Sequence, residues 1–375
     1  MIYLDYAANT PADPAVLDAF CRTERQFIGN ANAAHPAGQA ARAEMARVTD
    51  SIASLLDVSP QEIIYTSGAS ESNNLAIKGM MQAGGQPGRH IITTPLEHAS
   101  VAGALSALRR QGCEVDVVNI RRDGTVDVQH LRTLMRQDTA LVCVCAVDSE
   151  LGAVQPIPEI VEILQGYPHC RLHVDVTQAV GRTAPIWCGA DTVSLAPHKF
   201  YGLNGCGLLL KKKKLALEPL IHGGGSTTPY RSGTPALGLA VSAETALRLA
   251  LENQPQRTAR VKALNQQLRA GLSGYPAVCI NSPDDAVPNI LNLSVRGVKG
   301  TVFQRALASY DVCVSVKSAC STDGAPSQAV YAVSRDRRNA LSSWRISLSH
   351  LTTEAEIAAF LEIFQRCYQE LVLQE

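Results

Sequence analysis

A chain of 375 residues that is 46% hydrophobic and 18% charged can bury a large core, and it reads as an ordinary α/β enzyme with one main and one smaller domain. Its 34 basic and 34 acidic side chains cancel, leaving no net field to draw in nucleic acid or an anionic membrane. The longest apolar run, Thr139 to Val147, suits a buried strand and falls well short of a membrane span.

The chain starts almost at once on Tyr3-Leu-Asp-Tyr, without room for a leader, so a cytoplasmic protein is expected. After this arm the periodicity predicts a helix over 38–56, a strand over 62–66, a helix over 70–81 and a strand over 90–94. The alternation continues through 114–118, 128–135, 141–147, 171–176, 192–195 and 206–210, the pattern of a mostly parallel sheet covered by helices. From Ala236 to about Ala270 the reading is one long helix. Strands over 289–295 and 345–348, with helices over 301–309 and 353–371, then predict a smaller α+β domain. The boundary falls near Glu252 to Gln256.

Eleven cysteines raise the question of disulfides or a metal, but no Cys-x-x-Cys occurs. Cys143 and Cys145, two apart on a strand, share a face and are expected to fill the core as reduced thiols. Lys211 to Lys214 is expected to be a solvated basic turn.

Chemistry enters at four places. Ser67-Gly-Ala-Ser70 joins a strand to a helix, where backbone N–H groups and the helix dipole can hold an anion. Asp175, Gln178 and Lys199 follow on one strand-turn-strand stretch. A carboxylate that keeps a pyridine nitrogen protonated and a lysine that holds an aldehyde are the two ends pyridoxal 5'-phosphate needs. Cys320 sits in the small, polar stretch Val316-Lys-Ser-Ala-Cys-Ser-Thr-Asp-Gly, the setting of an exposed, reactive thiol. Arg345, in a predicted strand, can offer a planar fork to a carboxylate or form an interdomain ion pair.

These pieces belong to an ordered series. Tyr3-Leu-Asp-Tyr-Ala-Ala-Asn-Thr-Pro11, Thr66-Ser-Gly-Ala-Ser-Glu-Ser-Asn73, Glu97-His98, the Asp175/Gln178 segment, His198-Lys199, Arg231-Ser-Gly-Thr234, Ser318-Ala-Cys320 and Trp344-Arg-Ile-Ser347 run from one end to the other. In that order they resemble the class V aminotransferases and, within them, the cysteine desulfurases. The resemblance implies a fold type I pyridoxal-phosphate enzyme in which residues 14–255 form the large domain and residues 1–13 cross back to join 256–375. It implies that Lys199 holds the cofactor, that Asp175 faces its pyridine nitrogen, and that Gln178 and Ser149 support the ring oxygen. His98 would stack on the ring and serve in proton transfer. Ala69, Ser70 and His198 would bind the phosphate, as would Thr234 from the partner subunit of a homodimer. Arg345, and more weakly Asn30, would bind the substrate L-cysteine. Cys320 would take its sulfur as a persulfide, release L-alanine and pass the sulfur to an acceptor protein.

Three departures accompany the likeness. Asp148-Ser149-Glu150 stands where the family has Asn-Asn-Glu, Ala196 replaces a serine, and Val316-Lys317 replaces small residues. The chain also ends at Glu375, without the extension that housekeeping members use to dock an iron–sulfur scaffold, so the acceptor stays open among cluster assembly, tRNA thiolation and DNA sulfur modification. A selenocysteine lyase or another class V lyase or transaminase is the alternative enzyme. A degenerate sulfur-pathway binding protein is the alternative outside enzymes.

Overall fold

The computed structural model describes residues 1–83, 88–317 and 325–372. Seven strands form the central sheet in the order Ile63–Thr66, Gly207–Lys211, Thr192–Leu195, Arg171–Asp175, Thr139–Cys145, His90–Thr93 and Glu114–Val117. The last five run parallel, and Gly207–Lys211 alone opposes both of its neighbours. Thr139–Cys145 is buried at every position, as a strand covered on both faces must be. Because these strands are parallel, their carboxyl ends lie along one edge, and that edge carries Cys145, Asp175 and the turn leading to Lys199.

The expected helix over 236–270 is two helices, Leu237–Glu252 and Gln254–Leu272. Asn253 breaks the run at φ −95°, ψ 0°, and its side chain donates back to the Leu249 carbonyl at 2.8 Å. Pro255 then occupies the first turn of the second helix, where a missing N–H costs nothing. Hydrophobic spacing alone is blind to such a break.

Lys211 also departs from expectation. Its ammonium is buried, donating to the carbonyls of Lys212, Lys213 and Leu215 and lying 4.6 Å from the Tyr230 ring centroid. Lys212 to Lys214 are exposed as a solvated turn would be.

A second hydrophobic core joins Leu4, Val261, Leu268, Phe303, Trp344 and Phe364, with Phe303 and Trp344 stacked at 5.3 Å. It lies against a three-stranded antiparallel sheet of Ser343–Ser347, Ile290–Val295 and Val278–Ile280. The N-terminal arm reaches this core by pairing Ile2–Tyr3 in parallel with Val312–Cys313 and bridging Asp5 to Ser347. Leu4 is fully buried there, a contribution of about 2 kcal/mol. Three residues on, Ala7 packs in the larger core, so one short segment ties the two together.

Candidate functional site

A cavity of about 430 Å³ opens at the carboxyl edge of the parallel strands. Its wall includes Ala69, Ser70, His98, Ser149, Asp175, Gln178, His198, Lys199 and Arg345, nine of the residues singled out from the sequence.

One end of the cavity is a helix N-terminus. Helix Ala69–Gln82 starts at Gly68 (φ +156°), which has no side chain to cap the free N–H groups of the first turn. Gly207 on the neighbouring strand permits the turn: a Cβ there would lie 2.5 Å from Gly68 Cα. Glu71 closes the far side, accepting the Ser67 N–H at 2.7 Å and pairing with Arg231 at 3.0 Å, contacts that hold its carboxyl below the usual range despite burial.

Asp175 lines the same cavity. Its Oδ1 accepts the Thr177 N–H at 2.9 Å and its Oδ2 accepts Asn73 Nδ2 at 2.8 Å. Asn73 comes from the same helix whose N-terminus lines the cavity, so one element positions both. Sequence reading quoted Asn73 within a motif without giving it a task. Its place one turn into a helix that starts at the anion site was the available signal.

Lys199 ends a single 3₁₀ turn, Pro197–Lys199, behind the strand Thr192–Leu195. Its Nζ donates to the carbonyls of Ala7 at 3.0 Å and Ala8 at 2.6 Å. Burial, with the nearby Arg345 and Arg182 cations, brings its pKa down to about 8. Burial and the Lys199 charge push His198 down to about 4, so it is a neutral imidazole. Gln178 donates to the Ala7 carbonyl at 2.9 Å and accepts from Arg182. The N-terminal arm thus supplies acceptors to two cavity residues.

Arg345 meets both of its sequence readings. It lines the cavity, and it also pairs with Asp5 at 2.9 Å and donates to the Ser149 carbonyl at 2.7 Å, while its Nε is buried without a partner among the described residues. Asp148, beside Ser149, is buried and pushed up to about 7, chiefly by that burial. Cys145 does more than fill the core: it lines the cavity, and its N–H donates to Glu97 at 2.8 Å. Burial raises Glu97, quoted from the sequence beside His98 without a task of its own, to about 8. Ala196 is fully buried and stands off the cavity wall.

Two expected residues lie elsewhere in this chain. Thr234 is exposed beside a separate cavity of about 90 Å³ that also touches Ser67 and Gly205. Asn30 is exposed and off the cavity wall, with its Oδ1 accepting the Asn32 N–H at 2.9 Å. Cys320 lies outside the described residues.

The wall suits pyridoxal phosphate. An uncapped helix N-terminus matches a phosphate, a carboxylate matches a pyridinium, a lysine brought down to about 8 lines the same wall, and the Thr177 hydroxyl is buried there without a partner among the described residues.

Comparison with known proteins agrees. The family model for aminotransferase class-V matches residues 2–360. The chain is 38% identical to the cysteine desulfurase IscS of Proteus mirabilis, over 96% of this chain and 91% of that protein. It is 35% identical to a NifS/IcsS protein homolog of Lactobacillus delbrueckii subsp. bulgaricus, over 98% and 97%. Among solved structures, a NifS-like protein superposes with a TM-score of 0.92 at 31% identity, covering 99% of this chain and all of that one. DndA from Streptomyces lividans does so with a TM-score of 0.78 at 31% identity, over 92% and 99%. The chain therefore belongs to the aminotransferase class-V family, as a pyridoxal-phosphate-dependent cysteine desulfurase.

Proposed function

We infer that this chain moves the sulfur of L-cysteine to Cys320 at the cavity described above, and that the wall residues divide the work as follows. The observation that carries the reading is the convergence of Lys199, Asp175, Arg345 and an uncapped helix N-terminus on one 430 Å³ space. Gly68, Ala69 and Ser70 hold the phosphate with backbone N–H groups, and Asp175, held by Asn73 and Thr177, faces the pyridine nitrogen. When bound, the cofactor supplies an electron sink for the substrate's α-carbon.

Lys199 anchors the cofactor and moves the α-proton. An amine held near neutrality is the form that accepts one, and a pKa of about 8 keeps it available. Arg345 binds the substrate carboxylate; Asp5 and the Ser149 carbonyl fix its fork in advance, which lowers the entropy cost of binding. Gln178 and Ser149 flank the ring oxygen. In the net reaction the carbon–sulfur bond of L-cysteine breaks, a sulfur–sulfur bond to Cys320 forms, and L-alanine leaves. An acceptor protein then collects the persulfide sulfur.

The same reading makes residues 14–255 the large domain and 1–13 with 256–375 the small one, in keeping with the two cores joined by the arm. It also makes the enzyme a homodimer in which Thr234 completes the partner's phosphate site, supported by the exposure of Thr234 beside Ser67. Sedimentation of a monomer at working concentrations would remove that part. The described cysteines are all free, in keeping with the reducing cytoplasm, and cell fractionation checks it.

Borohydride reduction of the holoenzyme followed by peptide mapping tests the assignment. The cofactor should be found on Lys199. Attachment within Lys211 to Lys214 would refute it.

A further inference from the structure

Asp175 and His98 are joined by an unbroken run of hydrogen bonds. Thr192 Oγ1 lies 2.9 Å from His173 Nδ1, and His173 Nε2 lies 3.0 Å from Asn73 Oδ1. Asn73 Nδ2 donates to Asp175 Oδ2 at 2.8 Å and to Ser100 Oγ at 2.9 Å. Ser100 Oγ is 2.8 Å from His98 Nδ1, and that nitrogen also accepts the Ser100 backbone N–H at 3.2 Å. Thr192, His173 and Asn73 are fully buried, so these bonds are not exchanged for water.

Donor counting gives the run a direction. A backbone amide can only donate, so Nδ1 of His98 carries no proton. Asn73 turns its NH₂ toward the Asp175 carboxylate and its carbonyl toward His173, whose proton must then sit on Nε2, leaving Nδ1 to accept from Thr192. The second N–H of Asn73 fills a lone pair of Ser100, which frees the Ser100 proton for His98. Each member has one consistent role. The single proton of a neutral His98 is then on Nε2, the ring atom without a protein partner among the described residues, on a side chain that lines the cavity.

We propose that Asn73 and Ser100 are positioning residues that lock His98 as its neutral Nε2–H tautomer, so that His98 offers cofactor and substrate its one ring proton and not a bare nitrogen. The proposal rests on the reading that places His98 against the cofactor. The effects acting on the ring oppose one another: burial, the largest influence, disfavours a second proton, Asp175 favours it and Lys199 disfavours it. Glu97, next in the chain, has its Oε1 committed to Thr94 and to the Cys145 N–H.

Nitrogen NMR of the holoenzyme labelled with [15N]histidine tests this, with His98→Gln to assign the ring. His98 should show a bare Nδ1 and a protonated Nε2 from about pH 6 to about pH 8, across the range where an ordinary histidine titrates. Ser100→Ala keeps the backbone cap but removes the hydroxyl donor, so the His98 midpoint should rise by about half to one unit. Asn73→Ala should raise it likewise, and Ser100→Ala carries the test if Asn73→Ala does not fold. A protonated Nδ1 in the wild type, or midpoints unmoved in the variants, overturns the proposal. Ring shifts that do not differ between apoenzyme and holoenzyme would remove the placement on which the proposal rests, with the desulfurase activity still standing.

Discussion

Lys199 shows how much the surroundings of a single side chain decide. Desolvation and two neighbouring guanidinium groups outweigh Asp5 and Asp175, and the amine titrates near 8. The sign of the pH effect follows: below that value the amine is protonated and cannot attack an aldehyde. Uptake of pyridoxal phosphate by the apoenzyme should therefore speed up about tenfold per pH unit below 8 and level off above it, read as the growth of the bound-cofactor absorbance. A rate flat between roughly pH 6 and 8 would contradict this. That Lys199 and Asp175 share one cavity was legible in the sequence because one chemistry needs both and they lie 24 residues apart, Asp175 ending one strand and Lys199 ending the turn behind its neighbour. The Asp5–Arg345 pair and the burial of Lys211 were not. Asp5 and Arg345 meet only because the arm folds back, and a run of four lysines looks solvated until Tyr230 and three carbonyls close over the first.

At the scale of elements, helix Ala69–Gln82 brings its uncapped N-terminus to the cavity and Asn73 to Asp175, so its placement sets both features to which we assign the cofactor. Gly207 governs that placement from the adjacent strand. Gly207→Ala drives a methyl against Gly68 and should cost about 1–3 kcal/mol of stability in thermal unfolding. It should also weaken cofactor retention tenfold or more, about the value of one hydrogen bond to a charged group, measured by equilibrium dialysis. Retention equal to the wild type would mean that the turn does not hold the phosphate. Element types were readable from hydrophobic period and position, since strands of a parallel sheet are apolar runs between amphipathic helices. The break at Asn253 escaped because Pro255 is compatible with a first helical turn and the apolar spacing continues across it.

At the scale of the whole molecule, the N-terminal arm crosses between the two cores and lays Ala7 and Ala8 over Lys199 and Gln178. Lys199 and Arg345 are thus held by the same short segment, through the Ala7 carbonyl and Asp5. What the fold leaves to chemistry is the fate of the sulfur, which we assign to Cys320 from a small polar stretch and its Ser318-Ala-Cys320 likeness to the family. The other thiols in and near the core are poor candidates, since burial raises Cys143, Cys145 and Cys206 well above the ordinary thiol range. The most direct measurement is alanine and persulfide formation by Cys320→Ala with L-cysteine. The variant should keep bound cofactor and a cysteine-dependent change in its spectrum, because Lys199, Asp175 and Arg345 are untouched, but it should form no protein persulfide and release alanine far below the wild-type rate. Alanine release by Cys320→Ala at the wild-type rate would contradict the account, since another thiol or direct elimination would then carry the reaction.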